Sequence, residues 1–149
     1  MQRLKAWLPA ILWMGVIFVM SAMPGDVSGE QSGTLVSIVL GILSFFFGEN
    51  AVSGISIDLV HLLIRKAAHM TEYAVLFWLN HRALRIENAK HPGVYALLMC
   101  AVYAATDEFH QGFVADRGPS VIDIGIDTLG AGIAWGITQT IAYMKRKRN

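Results

Sequence analysis

Three features of the chain predict an all-α fold, a polytopic membrane bundle of four transmembrane helices plus one short interfacial or re-entrant helix. The composition is 54% hydrophobic and 15% charged, with a mean hydropathy of +0.48, whereas about a quarter of the residues in a soluble domain are charged. Apolar runs of spanning length recur along the 149 residues. One of them, residues 58–80 (DLVHLLIRKAAHMTEYAVLFWLN), carries several ionisable groups where lipid should be, a costly arrangement that marks functional sites. The net charge of +1 argues against a nucleic-acid partner, and the basic runs sit at the ends of apolar segments, where membrane topology accounts for them. Cys100 is the only cysteine, so neither an intramolecular disulfide nor a cysteine metal cluster is available. Residues 1–149 read as one domain, without a soluble appendage, internal repeat or low-complexity tract.

The first element is the apolar run 7–23 behind Arg3 and Lys5. Small residues follow it, as in a signal peptide, but its length exceeds the roughly 7–15 residues of such a core and suits a first span ended by Pro24 and Gly25. The next run, 34–48 (TLVSIVLGILSFFFG), falls short of the roughly 17–25 residues a span needs, which predicts an interfacial or re-entrant helix. Segment 58–80 is the second span. His61, Arg65, Lys66, His69, Glu72 and Tyr73 share an arc of roughly 140° on its helical wheel, opposite Val60, Leu63, Ile64, Ala67, Met70, Ala74 and Trp78. The third span, 94–113, has an apolar part of only about 14 residues, so it must take Asp107, Glu108 and Gln111, on one arc of about 100°, into the outer membrane. The fourth, 121–144, places Ser120, Asp123, Asp127, Gly130, Ala134 and Thr138 on one stripe. Its small residues allow close helix contact there, and Gly132 with Gly136 offer the same on a neighbouring stripe.

Lysine and arginine bias orients these spans. Arg3, Lys5, Arg82, Arg85, Lys90, Lys145, Arg146, Lys147 and Arg148 fall on one side if there are four spans, and 24–57 holds no Lys or Arg. Both termini are therefore expected in the cytoplasm of a multi-pass cell-membrane protein. A fifth span at 34–48 would put KRKR outside. All three polar faces then gather in the outer half of the bundle as an outward-opening pocket. His69 and Glu72 are expected deepest, about 17–21 Å along their helix from Asp58, with Glu108, Gln111, Arg117, Asp123 and Asp127 at the mouth.

LIRKAAHMTEYAVL, YAATDEFHQGFVADR and SVIDIGIDTLGAGIAWG resemble, in this order, the motifs of the VanZ-like membrane protein family, over about residues 64–136. The resemblance implies a small multi-pass membrane protein and, for the family's namesake, a role in lowering sensitivity to the glycopeptide teicoplanin; it implies no particular reaction. The matching positions are Lys66, His69, Glu72, Tyr73, Asp107, Glu108, Gln111, Arg117, Ser120, Asp123 and Gly130. Asp127 stands where the family more often has Asn, adding a charge, and Asp116 where Gly is commoner.

Several functions suit this constellation. As an enzyme at the outer face, Glu108 or Glu72 would be the general base, His69 a proton shuttle and Asp123 a further carboxylate. Lys66, Arg117, Gln111, Tyr73, Asp107, Ser120 and Asp127 would hold the substrate, a membrane lipid or lipid-linked envelope precursor with an anionic group. As an accessory protein, the same pocket would hold a head group or an antibiotic's lipid tail without chemistry. A proton relay has the right residue types, but the inner halves of the helices offer no polar path. No cofactor is expected; His69, Glu72, Glu108, Asp123 and Asp127 would suit a divalent metal, which Lys66 and Arg65 would repel. The plain structural alternative is that Lys66 and Arg65 neutralise Glu72, Glu108 and Asp123 as ion pairs, although several buried pairs are a costly way to fix a small bundle. The oligomeric state is left open.

Overall fold

The computed structural model describes residues 2–23, 25–52, 54–115 and 117–148. Asp116 lies outside them. The described residues form helices and no strand: α1 (Gln2–Ser21), α2 (Gly25–Phe47), the single turn α3 (Glu49–Val52), α4 (Ile57–Ile86), α5 (Pro92–Gln111) and α6 (Val121–Arg148). Helix α4, the polar helix of the sequence, packs against α1, α2, α5 and α6 and so forms the hub.

Two helices among the described residues, α1 and α6, are long and apolar enough to cross a membrane. Only 22% and 17% of their apolar windows is buried, so neither is the wrapped core helix of a soluble protein. Large apolar side chains lie exposed on α5 as well, including Leu98 and Val102.

Helix limits differ from the sequence expectation for local reasons. Helix α4 continues beyond Asn80 because nothing in LNHRALRI breaks it. It stops in a Schellman turn, where Asn88 takes a left-handed φ of 58° and the N–H of Ala89 reaches back to the carbonyl of Leu84. Pro92 opens α5, where its missing N–H costs nothing. Helix α6 runs on through KRKR to Arg148. Helix α2 is longer than the expected 34–48, at 23 residues, although its apolar part, Gly33–Phe47, coincides with that run. It meets α4 through its middle turns, with Gly33 beside His61, and leaves Ile38, Ile42, Phe45, Phe46 and Phe47 exposed.

The core lies where α4, α5 and α6 meet and includes Tyr73, Leu76, Phe77, Ala96, Cys100, Ala104 and Ala131. Gly93, Ala96, Cys100 and Ala104 recur along α5 at three- and four-residue steps, and Asp107, Glu108 and Gln111 continue the same buried stripe. The polar site is thus the end of the core stripe with its residue type changed. Small side chains set the spacing: a Cβ on Gly130 would stand 2.3 Å from the Met70 carbonyl oxygen, and one on Gly93 2.5 Å from Trp135 Nε1. Gly132 and Gly136 face open space, so the second small-residue stripe meets no other helix among the described residues.

Three side-chain bonds tie helix α1 to α4 and α5 along its length. Trp7 Nε1 donates to Glu87 Oε1 at 3.0 Å, Trp13 Nε1 to the Glu72 carbonyl at 2.9 Å, and Tyr103 Oη to the Met14 carbonyl at 2.6 Å. The first places Arg3 and Lys5 beside the end of α4 that bears Arg82 and Arg85. Helix α6 runs parallel to α4, since Lys66 meets Asp123 and Met70 meets Gly130, which brings its basic tail to that end too. Nine of the 12 Lys and Arg residues therefore share one end of the bundle. The other three, Arg65, Lys66 and Arg117, stand at the opposite end, around the candidate site.

Candidate functional site

The site is built on the start of α6. The Ser120 hydroxyl oxygen accepts the Asp123 N–H at 3.2 Å, an N-cap bond, and Glu108 Oε2 accepts the Ser120 N–H at 2.8 Å. In a capping box the acid three residues into the helix would take that last N–H itself. Here Glu108 of α5 takes it, and Asp123 is free to pair with Lys66 of α4. The connection between α5 and α6 is thereby pinned to α5. Arg117, within this connection, reaches α1, where Nη1 donates to the Ser21 carbonyl at 3.5 Å.

Two cavities flank Arg117. The first, about 120 Å³, lies among α1, α2, α4 and α5; Ile17, Met20, Leu35, Ile64 and Ala68 give it an apolar wall, and Ser21, Glu72 and Asp107 a polar corner. The second, about 140 Å³, is lined by polar groups, among them Gln111, Gly118 and Asp123. Arg65, His69 and Arg117 line both cavities. Burial and the nearby Arg65 push the Arg117 guanidinium below its ordinary value, against the opposing pull of Asp107, Glu108 and Glu72; an arginine so placed is still a cation.

His69 Nδ1 stands 3.9 Å from Glu72 Oε2 and 3.7 Å from Asp127 Oδ1, beyond hydrogen-bond length but close enough for small side-chain shifts to join them. Asp127 is fully buried, and both its oxygens lack a hydrogen-bond partner among the described residues. It lies deep in the bundle, one turn from the contact of Gly130 with Met70, and not at the mouth as expected. Asp107 and Gln111 are also buried and hydrogen-bonded to each other at 3.2 Å.

Of the residues singled out from sequence, His69, Glu72, Asp107, Gln111, Arg117 and Asp123 line the cavities. Lys66, Tyr73, Glu108, Ser120 and Asp127 line neither. Tyr73 is part of the core, its ring 6.3 Å from that of Tyr103; Lys66 is engaged by Asp123; Glu108 and Ser120 hold the α6 terminus. Glu108, expected at the mouth, is 1% exposed. Arg65 and Ser21, outside the site expected from sequence, line the first cavity. Arg65 had a sequence signal, since it shares the polar arc of α4; Ser21 had none beyond being polar at the end of an apolar helix. Among the described residues no group of three or more His, Cys, Asp or Glu side chains is placed to hold a metal ion, so the five-residue metal set does not assemble.

The fold and the site together define an all-helical protein with a cluster of buried and half-buried ionisable groups at one end of a bundle that exposes many large apolar side chains. The chain belongs to the VanZ/LLP1 family, whose model matches residues 6–142 and so takes in α1 and α2 as well as the motif-bearing stretch. No curated protein and no solved structure matches the chain.

Proposed function

We propose that this protein is a four-span membrane protein that binds the anionic head group of a lipid or lipid-linked envelope component at the outer face of the cell membrane. On this reading α1, α4, α5 and α6 span the membrane, both termini are cytoplasmic, and α2 lies along or dips into the outer leaflet. The segregation of nine cations to one end supports the orientation. The observation that carries the binding function is the pair Arg65 and Arg117, shared by an apolar cavity and a polar one, with Lys66 already paired to Asp123. Guanidinium groups of this kind suit phosphate or carboxylate. In the cell the expected consequence is altered sensitivity to teicoplanin, as the resemblance implies for the family's namesake.

Lipids that stay bound after extraction in mild detergent would be identified by native mass spectrometry. An anionic species should be retained by the native protein and lost from the Arg65→Gln/Arg117→Gln double variant. A lipid profile unchanged by both substitutions would overturn the reading.

Acid–base chemistry on the bound head group is a second reading, favoured by His69, which lines both cavities and stands between Glu72 and Asp127. His69→Gln would then leave lipid binding intact and lower conversion of the bound lipid by about 10²- to 10⁴-fold.

A further inference from the structure

Cavities that enclose a drug-sized ligand run to roughly 300–1,000 Å³, whereas the two here are about 120 and 140 Å³. Neither takes a whole amphiphile. Their linings differ in kind, one mostly apolar and one polar, and they meet at Arg65, His69 and Arg117. Charge divides between them as well. Asp123, the one carboxylate that lines the second cavity, is paired with Lys66 from outside it, so that on this side Arg65 and Arg117 face no unpaired carboxylate of the lining. Glu72 and Asp107 border the first. Gly118, with open space where a Cβ would stand, leaves the second cavity clear beside the connection.

Resting on the binding function proposed above, we infer that the ligand is a single-chain phosphate amphiphile, with its phosphate in the second cavity between Arg65 and Arg117 and the first stretch of its one chain between α1, α2 and α4. The apolar lobe receives the chain from the lipid side, past Leu35 and Met20. Gln111 faces the phosphate as a neutral polar neighbour. A two-chain lipid has no apolar wall for its second chain there, because the rest of the first cavity is lined by Ser21, Arg65, His69, Glu72, Asp107 and Arg117.

The test uses the full chain in detergent and four probes: lysophosphatidic acid, two-chain phosphatidic acid, glycerol 3-phosphate and monoacylglycerol. Affinity is read by native mass spectrometry and thermal shift. Lysophosphatidic acid should bind at least about tenfold more tightly than each of the others. Arg65→Gln and Arg117→Gln should each weaken it by about tenfold or more, the loss expected for a charge-assisted contact, and Arg85→Gln at the opposite end should leave it unchanged. Arg65 makes no hydrogen bond to the fold among those described, so its variant still decides the matter if Arg117→Gln fails to fold. Equal binding of phosphatidic acid would overturn the single-chain inference and leave the binding function standing. Equal binding of glycerol 3-phosphate would show a free-phosphate site and overturn both, as would the absence of binding by either anionic lipid.

Discussion

The contact between α4 and α6 admits a sharp test at Gly130. An added methyl there would stand 2.3 Å from the Met70 carbonyl oxygen and 2.7 Å from its Cα, where ordinary van der Waals contact begins at 3.4 Å. The obstruction is backbone, so the two helices must part by about 1 Å, and overpacking of this kind costs about 1–3 kcal/mol. Replacing glycine by alanine also gains about 1 kcal/mol of helix propensity, which would blur the result in isolation. Gly132, on the same helix and two residues away, has nothing within 4 Å and supplies the control, since its alanine variant collects the same propensity without the clash. The difference in melting temperature between Gly130→Ala and Gly132→Ala in detergent therefore isolates the steric cost, roughly 2–12 °C for a chain of this size. Gly130→Ala should be the less stable and should also lose lipid affinity, because parting the helices separates Lys66 from Asp123 and His69 from Asp127. If the two variants melt together, the close approach that positions the site is refuted.

Three further outcomes are expected. Glu108→Gln keeps an acceptor for the Ser120 N–H and should melt near the native temperature, while Glu108→Ala leaves that donor without its partner and should cost about 1–3 kcal/mol; equal loss in both would mean that the charge, and not the bond, holds α6. A double-mutant cycle of Lys66→Met and Asp123→Asn should give a coupling of about 0.5–3 kcal/mol in thermal melts, with strictly additive effects ruling out the pair. In a Cys100→Ala background, cysteine at Gly118 should react with an impermeant thiol reagent applied outside cells and cysteine at Lys90 should not; the reverse pattern would invert the orientation.

Much of the architecture was legible along the chain because apolar helices carry it in their composition and period. The helical elements, the polar arc of α4, the arc of Asp107, Glu108 and Gln111 on α5, and the grouping of Arg3, Lys5, Arg82, Arg85 and the basic tail all follow from residue type and spacing. These are properties of single helices or of their ends, and no partner is needed to read them. Helix limits were less legible, since the ends depend on local bonds such as the left-handed turn at Asn88, and an apolar count marks only the apolar portion.

Only the tertiary structure decided which polar group meets which. Arg65 and Lys66 are neighbours about 100° apart on α4, and the sequence offers no ground for sending one to a cavity and the other to Asp123. That division follows from the crossing of α4 and α6, which the Gly130 contact with Met70 holds close. Likewise Glu108, a plausible base by residue type, became a cap for α6 because the connection from α5 folds Ser120 back onto it. Ser21 joined the site only because Trp13 and Tyr103 fix the height at which α1 docks. A helix displays its polar face in sequence, but the partner of each group depends on rotations and offsets between helices, which are set by packing and by a few long-range bonds.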